Sequence, residues 1–364
     1  MLRMETLRPE PQFRLSPFRA LRLTDSHVGA PVAQRAFARP YRSVPGRLRE
    51  WRRRQRLILE PAGAYYVHEY TSSGIAVRGI VGTLDVAEAG GVVFPHEQVH
   101  EPQVRQLASR MEEMALNPAP ILLMHRGSSG VRELLDAETA DAPDLVYTDR
   151  SDQLHRIWRI DTPEHLDVLH EELLGTRAVI ADGHHRYAAA LRLQTANPGS
   201  DWDRTLVMLI DQSDTPLQLC AIHRTVGRLA LDDVAATATA RGEAFTRHAT
   251  SHAALADLDR AIVLHDGTSW ATLRPRADPP LLVRWLHEEL LPAMRTPPER
   301  VAFHHAATDA LGRAGQGTMA MLLPAPSFDG VQTSARSGQL LPPKATSFQP
   351  KPHVGVLMRP VPDE

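Results

Sequence analysis

Asp182, His184, His185 and Arg186 put a carboxylate, two imidazoles and a guanidinium into five consecutive positions, with Gly183 among them. That mixture suits the handling of a phosphate or a carboxylate. Arg186 can offer a planar fork to an oxyanion, and His185 can donate when protonated near an ordinary pKa of ~6.5. Gly183, His184, His185 and Arg186 are therefore the candidate phosphate-holding residues. Phosphoryl transfer also asks for a compact cation against the transferred group, and for a carboxylate to take a hydroxyl proton or hold Mg2+.

The cation is suggested by a bias in composition. Of 41 basic residues only Lys344 and Lys351 are lysines, both within Leu341-Pro342-Pro343-Lys344-Ala345-Thr346-Ser347-Phe348-Gln349-Pro350-Lys351. A chain that uses arginine everywhere else keeps an ammonium there, a point charge rather than a fork. Lys344 is the candidate to neutralise a transferred group, and Lys351 is a further phosphate ligand. Asp182 and Glu97 are the candidate catalytic carboxylates, with Glu69 behind them.

The elements that must position these groups can be read locally. Ala178-Val179-Ile180-Ala181 is a short apolar run with β-branched residues and predicts a buried strand. Asp182-Gly183 supplies turn chemistry. An alanine-rich helix is predicted from Tyr187 to about Ala196, stopped by Asn197-Pro198-Gly199. The polar cluster then stands at a helix N-terminus, where backbone N–H groups and the helix dipole favour an anion.

Eighteen histidines offer other chemistry at His96-Glu97, His155, His223-Arg224 and His304-His305. His96-Glu97-Gln98-Val99-His100 has the His-Glu-x-x-His spacing but reads as a loop rather than a helix face, and none of these sites matches a Cys/His zinc pattern. A metal set drawn from His96, Glu97 and His185 is the alternative, and it would make the chain a metal-dependent hydrolase. There is no Walker-type glycine loop and no Gly-x-Gly-x-x-Gly.

Composition bounds the rest. The 364 residues carry a net charge of −2 and are 43% hydrophobic, so a large core is available and no global field draws nucleic acid or membrane. The single Cys220 gives no disulfide framework and fits a reducing compartment. No apolar run reaches the ~18–20 residues of a membrane span. Met1–Ala20 lacks the apolar stretch of a signal peptide, so a cytoplasmic location is expected. Arg47–Arg56 predicts a basic helix with Leu48, Trp51 and Leu57 inward. Its other reading, a nucleic-acid contact, belongs to a non-catalytic nucleotide- or DNA-binding regulator.

In order, strands are expected at Pro17–Arg22, Ala64–Tyr70, Ile75–Val86, Pro120–Met124, His155–Ile160, Thr205–Ile210, Leu219–Ile222, Ala261–His265, Trp270–Leu273, Met319–Leu323 and Val354–Met358. Helices are expected at Pro102–Leu116, Asp161–Leu174 and Leu281–Leu291. The mixed order predicts an α+β fold, mixed sheets with flanking helices. Four segments suggest themselves, either separate or all parts of one domain: an Arg/Pro-rich 1–60, an α/β part 61–160, a central part 161–325 carrying Asp182–Tyr187, and a tail 326–364 returning to the site.

The string Ala181-Asp182-Gly183-His184-His185-Arg186-Tyr187 resembles the signature of the domain-of-unknown-function family 1015. The resemblance extends through Pro17-Phe18, Gly79-Ile80-Val81-Gly82, His96-Glu97, His155-Arg156-Ile157-Trp158, Ile222-His223-Arg224 and Pro342 to Lys351. It weakens in the first sixty residues, where an early Pro-Tyr-Asp segment is replaced by the Arg-rich stretch, and over residues 101–110, which lack the family's Asp-Arg pair. The same corner is similar, over a few residues, to the ParB/sulfiredoxin superfamily, whose strand-to-helix turn binds nucleotide phosphates. In that likeness Gly183 takes the glycine position, His185 the histidine and Arg186 the arginine. His184 stands where sulfiredoxin has its reactive cysteine, which excludes sulfinic acid repair. Members of the superfamily bind CTP or phosphorylate free serine. The likeness implies a ParB/sulfiredoxin-like core over residues 178–196 and a partner nucleotide, ATP or ADP, with Mg2+. The implied activity is phosphotransfer to a small hydroxyl compound such as serine.

Overall fold

Aromatic residues in Tyr65–Ser72 and β-branched residues in Ile75–Asp85 make these two segments strands, joined by Ser73 and Gly74. Both linking residues have positive φ, 51° and 79°, as a two-residue hairpin turn requires. The strands pair antiparallel, Ser72 against Ile75 and Tyr66 against Val81. The computed structural model describes residues 11–30, 44–298 and 300–362. Residues 1–10 and 31–43 of the Arg/Pro-rich segment, and with them half of Met1–Ala20, lie outside the described residues.

Two compact units divide the chain. One takes in the residues up to Pro95, Val99–Leu217 and the chain from Pro350; the other is His96–Gln98 with Gln218–Gln349.

In the first unit the hairpin sits inside a nine-stranded sheet. Its order is Val93–Phe94, Ala178–Asp182, Ile121–His125, Arg204–Asp211, Ile75–Asp85, Tyr65–Ser72, Leu154–Ile160 and Leu145–Thr148, with Leu15–Ser16 added on Ile75–Asp85. Ala178–Asp182 runs parallel to Val93–Phe94, and Ile121–His125 runs parallel to Arg204–Asp211; the remaining pairs are antiparallel. Ala178, Val179 and Ile180 are fully buried on both faces, which explains their unbroken apolar run. Helices Glu101–Met114 and His184–Ala196 pack on each other through Val104, Ala108, Met111, Ala189 and Leu193. Ser129–Ala140 and Pro163–Leu173 lay Val131, Leu135, Leu169 and Leu173 into the main core. Each such aliphatic side chain contributes about 1.5–3 kcal/mol by leaving water.

The second unit is built on a six-stranded antiparallel sheet: Ala244–His248, Trp270–Arg274, Ile262–His265, Thr318–Leu322, His223–Gly227 and Val301–His304. A two-stranded pair joins Gln218–Cys220 to Ser347–Gln349.

The mixed α+β class is as expected, and several elements shift. Leu219–Ile222 is not one strand: Cys220 ends one and His223 begins the next. Of Pro17–Arg22 only the end is a strand, as part of Leu21–Leu23, and a separate short strand, Leu15–Ser16, precedes it. Val354–Met358 is a turn rather than a strand, because Gly355 takes φ of 91°; pairing resumes at Met358 and at Arg359–Pro360. The basic helix spans Val44–Arg53 with Leu48 and Trp51 buried, while Leu57 opens the strand Leu57–Leu59. Arg53 and Arg54 both pair with Glu50, so part of the basic stretch is neutralised on its own surface. Among the described residues no helix is long and apolar enough to cross a membrane.

Candidate functional site

Gly183 makes the whole turn between strand Ala178–Asp182 and helix His184–Ala196. Its φ of 100° lies in the region that glycine alone adopts without strain. One residue thus suffices where a longer loop was expected, and His184, His185 and Arg186 form the first helical turn instead of preceding a helix at Tyr187. Asp182 and Arg186 come together by helical spacing: Arg186 Nη2 donates to Asp182 Oδ2 at 2.6 Å, and Nη1 donates to the Pro120 carbonyl at 2.6 Å. The guanidinium folds back over Gly183, where a Cβ would meet Nε and Nη2 at 3.0 Å. The open bidentate fork expected of Arg186 is not what this arrangement offers. Nη1 and Nη2 each give one hydrogen bond within the protein, and Arg186 clamps the corner.

Lys351 Nζ donates to the other oxygen, Oδ1, of Asp182. Its segment is held by Gln153, whose Nε2 donates to the Lys351 carbonyl at 3.0 Å, and by Tyr70, whose hydroxyl donates to the Pro350 carbonyl at 2.8 Å. Burial would raise the Asp182 carboxyl, but the charges of Arg186 and Lys351 more than offset it and hold Asp182 below its ordinary range. Burial, with Lys351 and His185 adding to it against Asp182, pushes the His184 imidazole down to about 4. His184 is therefore neutral at pH 7. His185 accepts at Nε2 from the His100 backbone amide, 3.1 Å away, which puts its proton on Nδ1. Asp182, Arg186 and Lys351 together carry one net positive charge, set at the N-terminal end of a 13-residue helix.

Glu97 and Lys344 lie in the second unit. Glu97 Oε1 accepts from the Thr346 amide at 3.1 Å and from its hydroxyl at 2.9 Å. His96 Nε2 lies 2.8 Å from the same hydroxyl and donates to it. Burial raises the Glu97 carboxyl, outweighing the Thr346 hydrogen bonds and the charge of Lys344. Lys344 sits at φ of 59°, exposed, and its carbonyl accepts from Arg224 Nη2 at 2.8 Å. Arg224 is fully buried, donates through Nε to His287 Nε2, and stacks on Phe303 at 5.1 Å. Burial lowers it to about 10. Glu69, the lesser candidate, pairs with Arg156 at 2.6 Å.

The histidines expected to bind metal hold other partners, Thr346 for His96 and the His100 amide for His185. The group with ligand atoms within 4.8 Å of one another, among the described residues, is Asp149, His155 and His353 of the first unit. Sequence reasoning singled out His155 but not its partners. Asp149 lies on a turn and His353 is 204 residues beyond it, so no local spacing marks them.

A model of the family described as a protein of unknown function (DUF1015) matches residues 10–297. No curated protein matches the chain. Solved structures similar to it include a free serine kinase in complex with AMP, at 14% identity and a TM-score of 0.41, covering 76% of this chain and 90% of that one. A conserved hypothetical protein from Pyrococcus furiosus is 15% identical with a TM-score of 0.41, over 75% and 93% of the two chains. SbnI with a C-terminal truncation, from Staphylococcus aureus, is 12% identical with a TM-score of 0.44, over 77% and 87%.

Proposed function

We propose that this chain, which belongs to the DUF1015 family of proteins of unknown function, binds a nucleotide through its phosphates at the Asp182–Tyr187 corner. One observation carries the reading: Asp182 is shared by two cations, Arg186 and Lys351, so the trio keeps a positive charge beside a helix N-terminus. The local likeness of Gly183, His185 and Arg186 to the phosphate-binding turn of the ParB/sulfiredoxin superfamily supports it. In this reading Arg186 fixes the turn, and Lys351, exposed enough to exchange partners, swings from Asp182 to a phosphate oxygen. His184 contributes as a neutral group of the first turn, and His185 stands beside it.

The finer reading is phosphotransfer from ATP to a small hydroxyl compound, serine being one candidate. The hydroxyl oxygen bonds to the γ-phosphorus, the bond to the departing ADP oxygen breaks, and a carboxylate takes the hydroxyl proton. Glu97 suits that last role because burial raises it toward the pH at which a base works well. Asp182, held low between two cations, suits the orientation of Lys351 instead. Lys344 is the cation assigned to the transferred group. Mg2+ fits this corner as the counterion of the nucleotide itself, since both oxygens of Asp182 are engaged.

Calorimetric titration of the full chain with ATP, ADP, CTP and GTP tests the binding. Saturable heat with at least one of them, weakened about tenfold in Lys351→Ala, is expected from the loss of one charge-assisted contact. Absence of binding at millimolar nucleotide would remove the proposal.

A further inference from the structure

Asp149 has a buried carboxylate whose two oxygens are used differently. Oδ1 accepts from the Ser151 amide at 2.8 Å and from the Gln153 amide at 3.1 Å, which locks the side chain on its turn. Oδ2 faces two imidazoles, His155 Nε2 at 3.2 Å and His353 Nδ1. The side chains of Asp149 and His155 are wholly buried, and that of His353 is 26% exposed. Among the described residues the carboxylate's hydrogen-bond partners are thus two amides and two imidazoles, with no ammonium or guanidinium. A buried carboxylate in such company carries charge that a cation would neutralise.

From this geometry we infer that Asp149 Oδ2, His155 Nε2 and His353 Nδ1 bind one divalent transition ion of the zinc class. The donor set of two imidazoles and one carboxylate is of the kind that holds zinc with a further coordination position open. The 3.2 Å between His155 Nε2 and Asp149 Oδ2 is close to the ~3.3 Å edge of a tetrahedron with ~2.0–2.1 Å bonds. The surroundings also supply the needed tautomer. His155 Nδ1 lies 3.0 Å from His68 Nε2, in a pocket where His68 is buried, so His155 can donate there and turn its Nε2 lone pair toward the ion. Tyr147 packs on the His155 ring at 5.0 Å and restrains its tilt. The ion would cross-link segments 204 residues apart. Its third ligand is also two residues beyond Lys351, in a stretch that Gln153 already holds through the Lys351 carbonyl and the His353 amide. Metal at this place fixes the segment that carries Lys351.

The test uses the full chain, stripped with a chelator and dialysed against micromolar Zn2+, with bound metal counted by atomic emission. One zinc per chain is expected, lost in His353→Ala and retained in the exposed-histidine control His252→Ala. His68→Gln should weaken binding about 10–100-fold through the lost orientation of His155. Circular dichroism establishes that the variants are folded. Co2+ substitution of the unmutated chain gives a second readout that needs no variant, the intense visible bands of a four- or five-coordinate ion. A chain that binds no stoichiometric zinc, zinc unchanged in folded His353→Ala, or only the weak bands of hexaaqua-like Co2+ would each overturn the assignment.

Discussion

Asp182 and Lys351 stand 169 residues apart in the chain and form an ion pair at the turn made by Gly183. The pairing explains why an arginine-rich chain keeps a lysine there. Arg186 already occupies Oδ2 with its planar group and the Pro120 carbonyl with its other arm. What remains at Oδ1 suits a slim ammonium on a flexible stem.

Exchange of Lys351 for methionine should weaken nucleotide binding about tenfold while leaving the fold intact, because the ammonium side chain is 42% exposed. It should also raise the Asp182 pKa by removing one of the two charges that depress it. Calorimetry and a carboxyl-selective NMR titration measure the two effects separately. Unchanged affinity together with an unchanged Asp182 titration would contradict both.

Gly183→Ala should destabilise the first unit by about 1–3 kcal/mol, since a Cβ is strained at a φ of 100° and meets the Arg186 guanidinium at 3.0 Å. Denaturant unfolding reports the loss. A substitution without effect would mean that the turn relaxes to another backbone path.

The pH dependence has two windows with one sign. His184 is depressed to about 4 from 6.5, so the unfolded chain binds its proton first and stability falls as the pH drops from 6.5 toward 4. Asp182 is depressed below 3.8, so its contribution is present above that value and lost as pH falls through its lower folded pKa. His184→Gln should flatten the stability profile between pH 6.5 and 4 relative to the unmutated chain. Asp182→Asn should remove the steeper limb below pH 4. Parallel profiles for all three proteins would show these groups titrating alike in the folded and unfolded states.

Glu97→Gln should cut phosphotransfer by about 10²–10⁴-fold, the range of a lost general base, with nucleotide affinity unchanged. The reaction to follow is transfer of radiolabelled phosphate from ATP to serine and related hydroxyl compounds. Full activity in the variant would assign the proton to another acceptor. The amide keeps the Thr346 hydrogen bonds available, so loss of fold is not the expected outcome.

Local chemistry made the central corner readable. Ala178–Ile180 is apolar without alternation because both faces of the strand are covered, and Asp182-Gly183 marks the break. The helix start was three residues off, since His184-His185-Arg186 looks like a polar loop when its first turn is in fact closed by one left-handed glycine. The strands that pair across Ser73-Gly74, and those of the pair Ile262–His265 with Trp270–Arg274, were readable from their apolar and β-branched runs. Val354–Met358 looked like a strand by hydrophobicity, and the backbone at Gly355 decides otherwise. Groups that meet only in three dimensions were readable in part. The scarcity of lysine pointed to Lys351 without showing its partner, and nothing in the sequence connects Asp149 to His353.

Residues 341–360 contribute to both units. Ser347–Gln349 completes a strand pair in the second, and Lys351, His353 and Arg359 lodge in the first. During synthesis these residues leave the ribosome after nearly everything they pack against. Neither unit can therefore reach its finished form while translation of this stretch is under way, and a stalled ribosome before Leu341 would display two nearly complete bodies with an open seam in each.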